Sequence, residues 1–189
     1  MSFDETVMRC GAPALCGIKP SCLFSIRREQ YNERKLREWK AALTEDGKYV
    51  VALPRTKTRM LFFVYDRSLL ERQCSTCKIR QYLLQKGYPV ESGFCPLLAE
   101  LLHRLVAEKT FPHEVGVFLG YPLEDVVAFE KMAGTQFRYS GSWKVYGDVH
   151  AAREQMKKYN TCSTWCRRMV KKGVPVPHVA RRYRANFGS

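Results

Sequence analysis

KYVVALPRTKTRMLFFVYD (Lys48–Asp66) holds two β-rich runs, Lys48–Leu53 and Met60–Asp66, joined by the polar connection PRTKTR. β-Branched and aromatic residues fill both runs, and Pro, Thr, Lys and Arg fill the connection. This predicts an antiparallel hairpin with a six-residue loop. EDGK (Glu45–Lys48) supplies the turn that enters it. Before that turn, Gln30–Leu43 places Tyr31, Leu36, Trp39 and Leu43 among charged residues, which is one apolar stripe on a helix. GIKPSCLFSI (Gly17–Ile26) reads as a loop entering a strand, and Asp4–Cys10 as a short helix.

Downstream the pattern turns helical. Ser68–Lys86 reads as one long helix closed by Gly87, and Ser92 is placed to cap the next, which runs from Leu97 to Val106. Pro112 opens a short helix that Gly120 ends, and Leu123–Met132 forms another. QFRYSGSWKVYG (Gln136–Gly147) reads as strand. Asp148 then caps a basic helix that Gly173-Val-Pro-Val-Pro stops. The last dozen residues read as a loose or partner-bound tail. The order predicts an α+β protein: a small, mainly antiparallel sheet of about four strands covered by helices. It is read as one domain over residues 1–176 with a basic tail over 177–189. It lacks the regular βαβ alternation of a doubly wound fold.

The chain has 189 residues, 46% of them hydrophobic, with 10 Phe, 10 Tyr and 3 Trp, which is enough apolar surface for a real core. No apolar run approaches the roughly 20 residues that cross a bilayer. MLFFVY (Met60–Tyr65) is the best candidate and is far too short, and MSFDETVMRC at the start has no basic-then-apolar signal pattern. The expected compartment is the cytoplasm. There the eight cysteines (10, 16, 22, 74, 77, 95, 162 and 166) would be free thiols, in a chain that needs no disulfide staples. Net charge is +14, and its distribution is uneven: from Ala151 to Ser189 ten Lys/Arg stand against one acid. Such a basic region can meet an acidic protein or a nucleic acid, although no nucleic-acid motif accompanies it and a solvated helix face is the favoured explanation of the charge.

Two segments carry a resemblance. FPHEVGVFLGYPLEDV (Phe111–Val126) followed by GSWKVYGD (Gly141–Asp148), with APALCGIKPSCLF (Ala12–Phe24) near the start, resembles the bacterial family catalogued as domain of unknown function 3793. The likeness runs through nearly the whole chain in the same order. It departs at Cys10-Gly11, where the family pattern has a His-Cys pair, and at Ala14, where a Thr is usual. The resemblance carries over no established activity.

Candidate chemistry starts at His113 and Glu114, beside Pro112 at a helix start whose exposed N–H groups favour an anion. An imidazole beside a carboxylate can serve acid/base catalysis or bind a metal. Adjacent helical side chains diverge by about 100 degrees, however, so the two need not share a site. Tyr121 can face a cleft, and Glu124 and Asp125 suit the first turn of a helix. Lys19 and Lys144 each interrupt an apolar segment, where a lysine meets a phosphate or carboxylate or simply takes the wet face of a strand; alternation favours the wet face for Lys144. Cys74 and Cys77 fit an apolar helical stripe with Leu70 and Leu84. With Cys162 and Cys166, one turn apart, they also make a possible four-thiolate site for zinc or an iron–sulfur cluster. No Walker or GxGxxG loop is present.

Three functions follow from these candidates. The first is a ligand- or partner-binding protein with its site near Phe111–Asp125 and Gly141–Asp148. The second is a small enzyme using His113 and Glu114, with Cys10 or Lys19. The third is a cysteine-ligated metal or cluster protein. Absence of any cofactor is the leading expectation.

Overall fold

The computed structural model describes residues 1–107 and 111–188. In it Ser21–Arg27 (β1) and Lys48–Pro54 (β2) flank Arg59–Asp66 (β3) in an antiparallel sheet of order β1-β3-β2. The hairpin forms in the expected pairing, from Lys48 opposite Asp66 to Pro54 opposite Met60. Its connection is tighter than six residues. The strands extend to Pro54 and Arg59, and the Thr56 hydroxyl accepts the N–H groups of Thr58 and Arg59 across residues 55–58. As the central strand β3 is buried along nearly its whole length, which explains its continuous apolar run.

The chain divides into two compact units: Met1–Leu69 with Lys157–Ser189, and Leu70–Met156. In the first, Phe3–Leu15 (α1) starts at Ser2, whose hydroxyl accepts the Glu5 N–H at 3.2 Å. It runs further than the expected short helix because Val7, Met8, Ala12 and Leu15 are all driven into the core against the sheet. Glu33–Glu45 (α2) is capped by Asn32 and buries Trp39 and Leu43. Phe3 stacks on Trp39 at 5.3 Å and meets Phe62 edge-on at 5.8 Å, tying α1, α2 and β3 into one core.

Val149–Lys171 (α8) enters this unit from Lys157 onward and places Cys162 and Cys166 in the same core. Val176–Phe187 (α9) is an ordered helix where a loose tail was expected. Val176, Val179, Ala180 and Tyr183 are buried, and Arg181 reaches Asp46 at 2.7 Å while Arg184 reaches it at 2.9 Å. Burial alone would disfavour the Asp46 carboxylate. The hydrogen bonds and charge of Arg181 and Arg184 outweigh that and hold its carboxyl below the usual range.

In the second unit the long helix expected over Ser68–Lys86 is two: Arg67–Ser75 (α3), which begins just before the unit, and Cys77–Gln85 (α4). The Ser75 hydroxyl donates to the Glu71 carbonyl and the Thr76 hydroxyl to that of Gln73. These local bonds compete with the helical ladder, and Thr76 turns extended. Phe94–Ala107 (α5), Val115–Phe118 (α6) and Leu123–Lys131 (α7) follow. The fourth expected strand does not join the three-stranded sheet. It folds back on itself as Tyr139–Ser140 (β4) and Lys144–Val145 (β5), with Gly141 in the reversal. The architecture is α+β, and no helix among the described residues is long and apolar enough to cross a membrane.

Candidate functional site

Phe111–Val126 forms α6, a reversal and the start of α7. Gly116 lets these parts close up: a Cβ there would lie 2.8 Å from Val126 Cγ2 and 3.2 Å from Tyr121 Cδ2. Tyr121 in turn stacks on Trp143 of the β4–β5 hairpin, rings 4.8 Å apart, and donates its hydroxyl to the Ser142 carbonyl. Asp125, on the first turn of α7, binds the hairpin more firmly. It is buried, and its carboxylate accepts the Trp143 indole N–H and the backbone N–H groups of Tyr146 and Gly147, each at 2.8 Å. Tyr121 and Asp125 therefore hold Trp143 from two sides and join the two segments.

Between them lies a cleft of about 380 Å³. Phe111, Tyr121, Phe129 and Trp143 give it aromatic walls, and His113 and Lys144 bring its basic nitrogens. His113 is exposed and touches Phe129 edge-on at 5.1 Å, and its imidazole has no hydrogen-bond partner among the described residues. Lys144 is half-buried rather than on a wet strand face. Its ammonium donates to the Gly134 carbonyl at 2.6 Å and sits over the rings of Phe137 and Phe129, leaving N–H capacity for a ligand. The loop that holds it is strained: Ala133 (φ 47°) and Gln136 (φ 56°) are left-handed without being glycine.

Glu114 does not share this cleft with its neighbour. Its buried carboxylate accepts from the Tyr88 hydroxyl at 3.2 Å and from Arg104 Nη1 at 3.1 Å. Burial first, and the Glu114 charge next, push the Tyr88 phenol well above its ordinary value, so it stays a donor. The guanidinium of Arg104 lies 4.1 Å from the Tyr88 ring centre. Nothing in this arrangement leaves Glu114 poised to assist His113.

The remaining candidates fall in different places. Lys19 is buried in the first unit, 8% exposed, with its ammonium 5.3 Å from the Tyr159 ring centre. Cys74 is buried, its thiol pushed up to about 12 by burial, while Cys77 is exposed at the first residue of α4. Both belong to the second unit. Cys162 and Cys166 gather with Cys16, at the C-terminal cap of α1, the three sulfurs lying within 4.8 Å of one another. The Cys16 and Cys166 sulfurs are 3.5 Å apart. In the basic C-terminal region Arg181 and Arg184 are engaged with Asp46, whereas Lys157, Lys158, Arg168, Lys171, Lys172 and Arg182 are exposed.

The family described as "Protein of unknown function (DUF3793)" matches residues 7–180. The chain belongs to this family. No curated protein and no solved structure matches it. The family match spans the residues of both compact units, including the cleft and the three-cysteine cluster.

In this DUF3793 chain the two segments that carry the sequence resemblance also build the cleft. Sequence reasoning missed two of its features and one member of the cysteine cluster. Phe129 lies on the helix expected over Leu123–Met132 and was read only as part of that element. Asp125 looked like an acid at a helix start, whereas its three hydrogen bonds tether the hairpin. Cys16 has no motif linking it to residues about 150 positions away; a cysteine in an otherwise aliphatic stretch, CGI, is the only hint the sequence offers.

Proposed function

We propose that this protein binds a small planar aromatic or heteroaromatic ligand bearing an anionic group, in the cleft between α6–α7 and the β4–β5 hairpin. The observation that carries the reading is the pairing of aromatic walls with Lys144 and an unpartnered His113 imidazole in one cleft. A volume of about 380 Å³ suits such a ligand, and largely apolar walls with few polar groups are the usual make-up of a small-molecule site. Ring stacking against Trp143 and Tyr121 would supply contact area, and the ammonium and imidazole would orient the anion. Asp125 would not repel it strongly, because its carboxylate is already satisfied by three N–H donors. A reducing, cytoplasmic setting belongs to the same proposal and is supported by eight free cysteines.

The test is a fragment screen of aryl carboxylates and aryl phosphates beside matched neutral amides, read by ligand-observed NMR. The anionic members should bind the wild type at least tenfold more tightly than the neutral ones. Lys144→Met should erase that preference, a loss of about 1.4 kcal/mol or more. Equal binding of charged and neutral analogues, or a Lys144→Met variant with unchanged selectivity, would overturn the proposal.

A further inference from the structure

The three thiols of the first unit are chemically distinct from the cleft. Cys16 closes α1, and Cys162 and Cys166 stand one turn apart on α8, so two elements distant in sequence aim three sulfurs at one point. All three are buried, at 2% exposure or less. The Cys16 and Cys166 sulfurs are in hydrogen-bond contact, and either can donate. The Tyr183 hydroxyl reaches Cys162 from α9. Three sulfurs gathered in an otherwise apolar core, with a phenol beside one of them, form a cradle for a soft cation.

We propose that Cys16, Cys162 and Cys166 form a buried three-sulfur binding site for a soft monovalent cation, Cu(I). Metal–sulfur bonds of about 2.3 Å set three sulfurs about 4 Å apart around a shared ion. The 3.5 Å edge and the 4.8 Å limit bracket that spacing, so sub-ångström shifts suffice. Sulfur-only ligation selects soft ions. Zinc calls for a fourth ligand, and among the described residues the ligand group contains three. Binding replaces thiol protons, which leave to water; with copper supplied as Cu(I) no electron is transferred. The charge of the bound thiolates is met by the ion and by the Tyr183 hydroxyl beside Cys162.

The experiment uses the full chain, reduced and anaerobic, titrated with Cu(I) held by bathocuproine disulfonate. The wild type should withdraw one equivalent and develop a thiolate-to-copper charge-transfer band in the ultraviolet. Cys162→Ala and Cys166→Ala should each lower capture at least a hundredfold, and Cys22→Ala and Cys77→Ala should not. X-ray absorption of the loaded wild type should show three sulfur neighbours, a readout that stands even if a cysteine variant misfolds. Failure to compete with the chelator would overturn the proposal. So would capture that survives in the Cys162 and Cys166 variants, nitrogen or oxygen in the copper shell, a Cys16–Cys166 disulfide in the anaerobic protein, or a preference for Zn(II).

Discussion

His113 and Glu114 are neighbours in sequence, and the structure predicts opposite consequences of replacing them. Glu114→Ala removes a buried carboxylate that accepts from Arg104 and Tyr88. A hydrogen bond to a charged partner contributes about 1.5–3 kcal/mol, and a buried hydroxyl left unpaired costs about 1 kcal/mol more. Arg104 keeps Glu100 at 2.6 Å and the Lys86 carbonyl at 3.0 Å, so the loss stays below that of a fully stripped buried charge. The expected destabilisation is about 3 kcal/mol, a fall in melting midpoint of roughly 6–12 °C for a chain of this size. His113→Ala loses an edge contact with Phe129 and no hydrogen bond among the described residues, so it should cost less than about 1 kcal/mol. The same variant should weaken binding of an aryl anion in the cleft. Thermal denaturation and urea unfolding of the two variants, beside the ligand-observed NMR titration, separate the effects. A Glu114→Ala protein as stable as the wild type would refute the reasoning, as would a His113→Ala protein destabilised to the same degree as Glu114→Ala.

Other consequences follow from the same contacts. Because the folded pKa of Asp46 lies below its unfolded value of about 3.9, its contribution is fully present above that pH and lost as pH falls through the folded value. Asp46→Asn should therefore destabilise by about 1 kcal/mol near neutrality, Arg181 being 40% exposed, and should flatten the acid limb of a urea-midpoint profile. Lys48→Met strands the buried carboxylate of Asp66 and should cost about 3–5 kcal/mol in urea unfolding. Lys48→Met/Asp66→Asn, which removes both charges and keeps an acceptor for the Leu69 N–H, should recover at least half of it. In the loop behind Lys144, Gly134→Ala meets both a φ of 72° and Phe129 Cε2 at 2.9 Å, and should lose about 1–2 kcal/mol. Ala133→Gly relieves a left-handed alanine and should gain about 0.5 kcal/mol in the same measurement.

Local pattern alone determined the hairpin, most helix positions and the α+β class, because these depend on periodicity and turn chemistry within about a dozen residues. The β-branched runs at 48–53 and 60–66 paired as their composition demands. Phe111–Val126 and Gly141–Asp148 stood out only through the family resemblance; the close approach at Gly116 and the tether at Asp125 emerge from the structure. Pattern failed where competing bonds decide the outcome. Thr76 breaks a helix that periodicity runs straight through, because two hydroxyls take backbone carbonyls. The last helix looked like a loose tail because its anchor, Asp46, lies about 135 residues away in sequence. The same distance hides the chemistry. Only the tertiary structure turns Glu114 away toward Arg104 while His113 faces the cleft, and only it brings Cys16 to Cys162 and Cys166, since side-chain direction and long-range contact are set by core packing rather than by spacing along the chain.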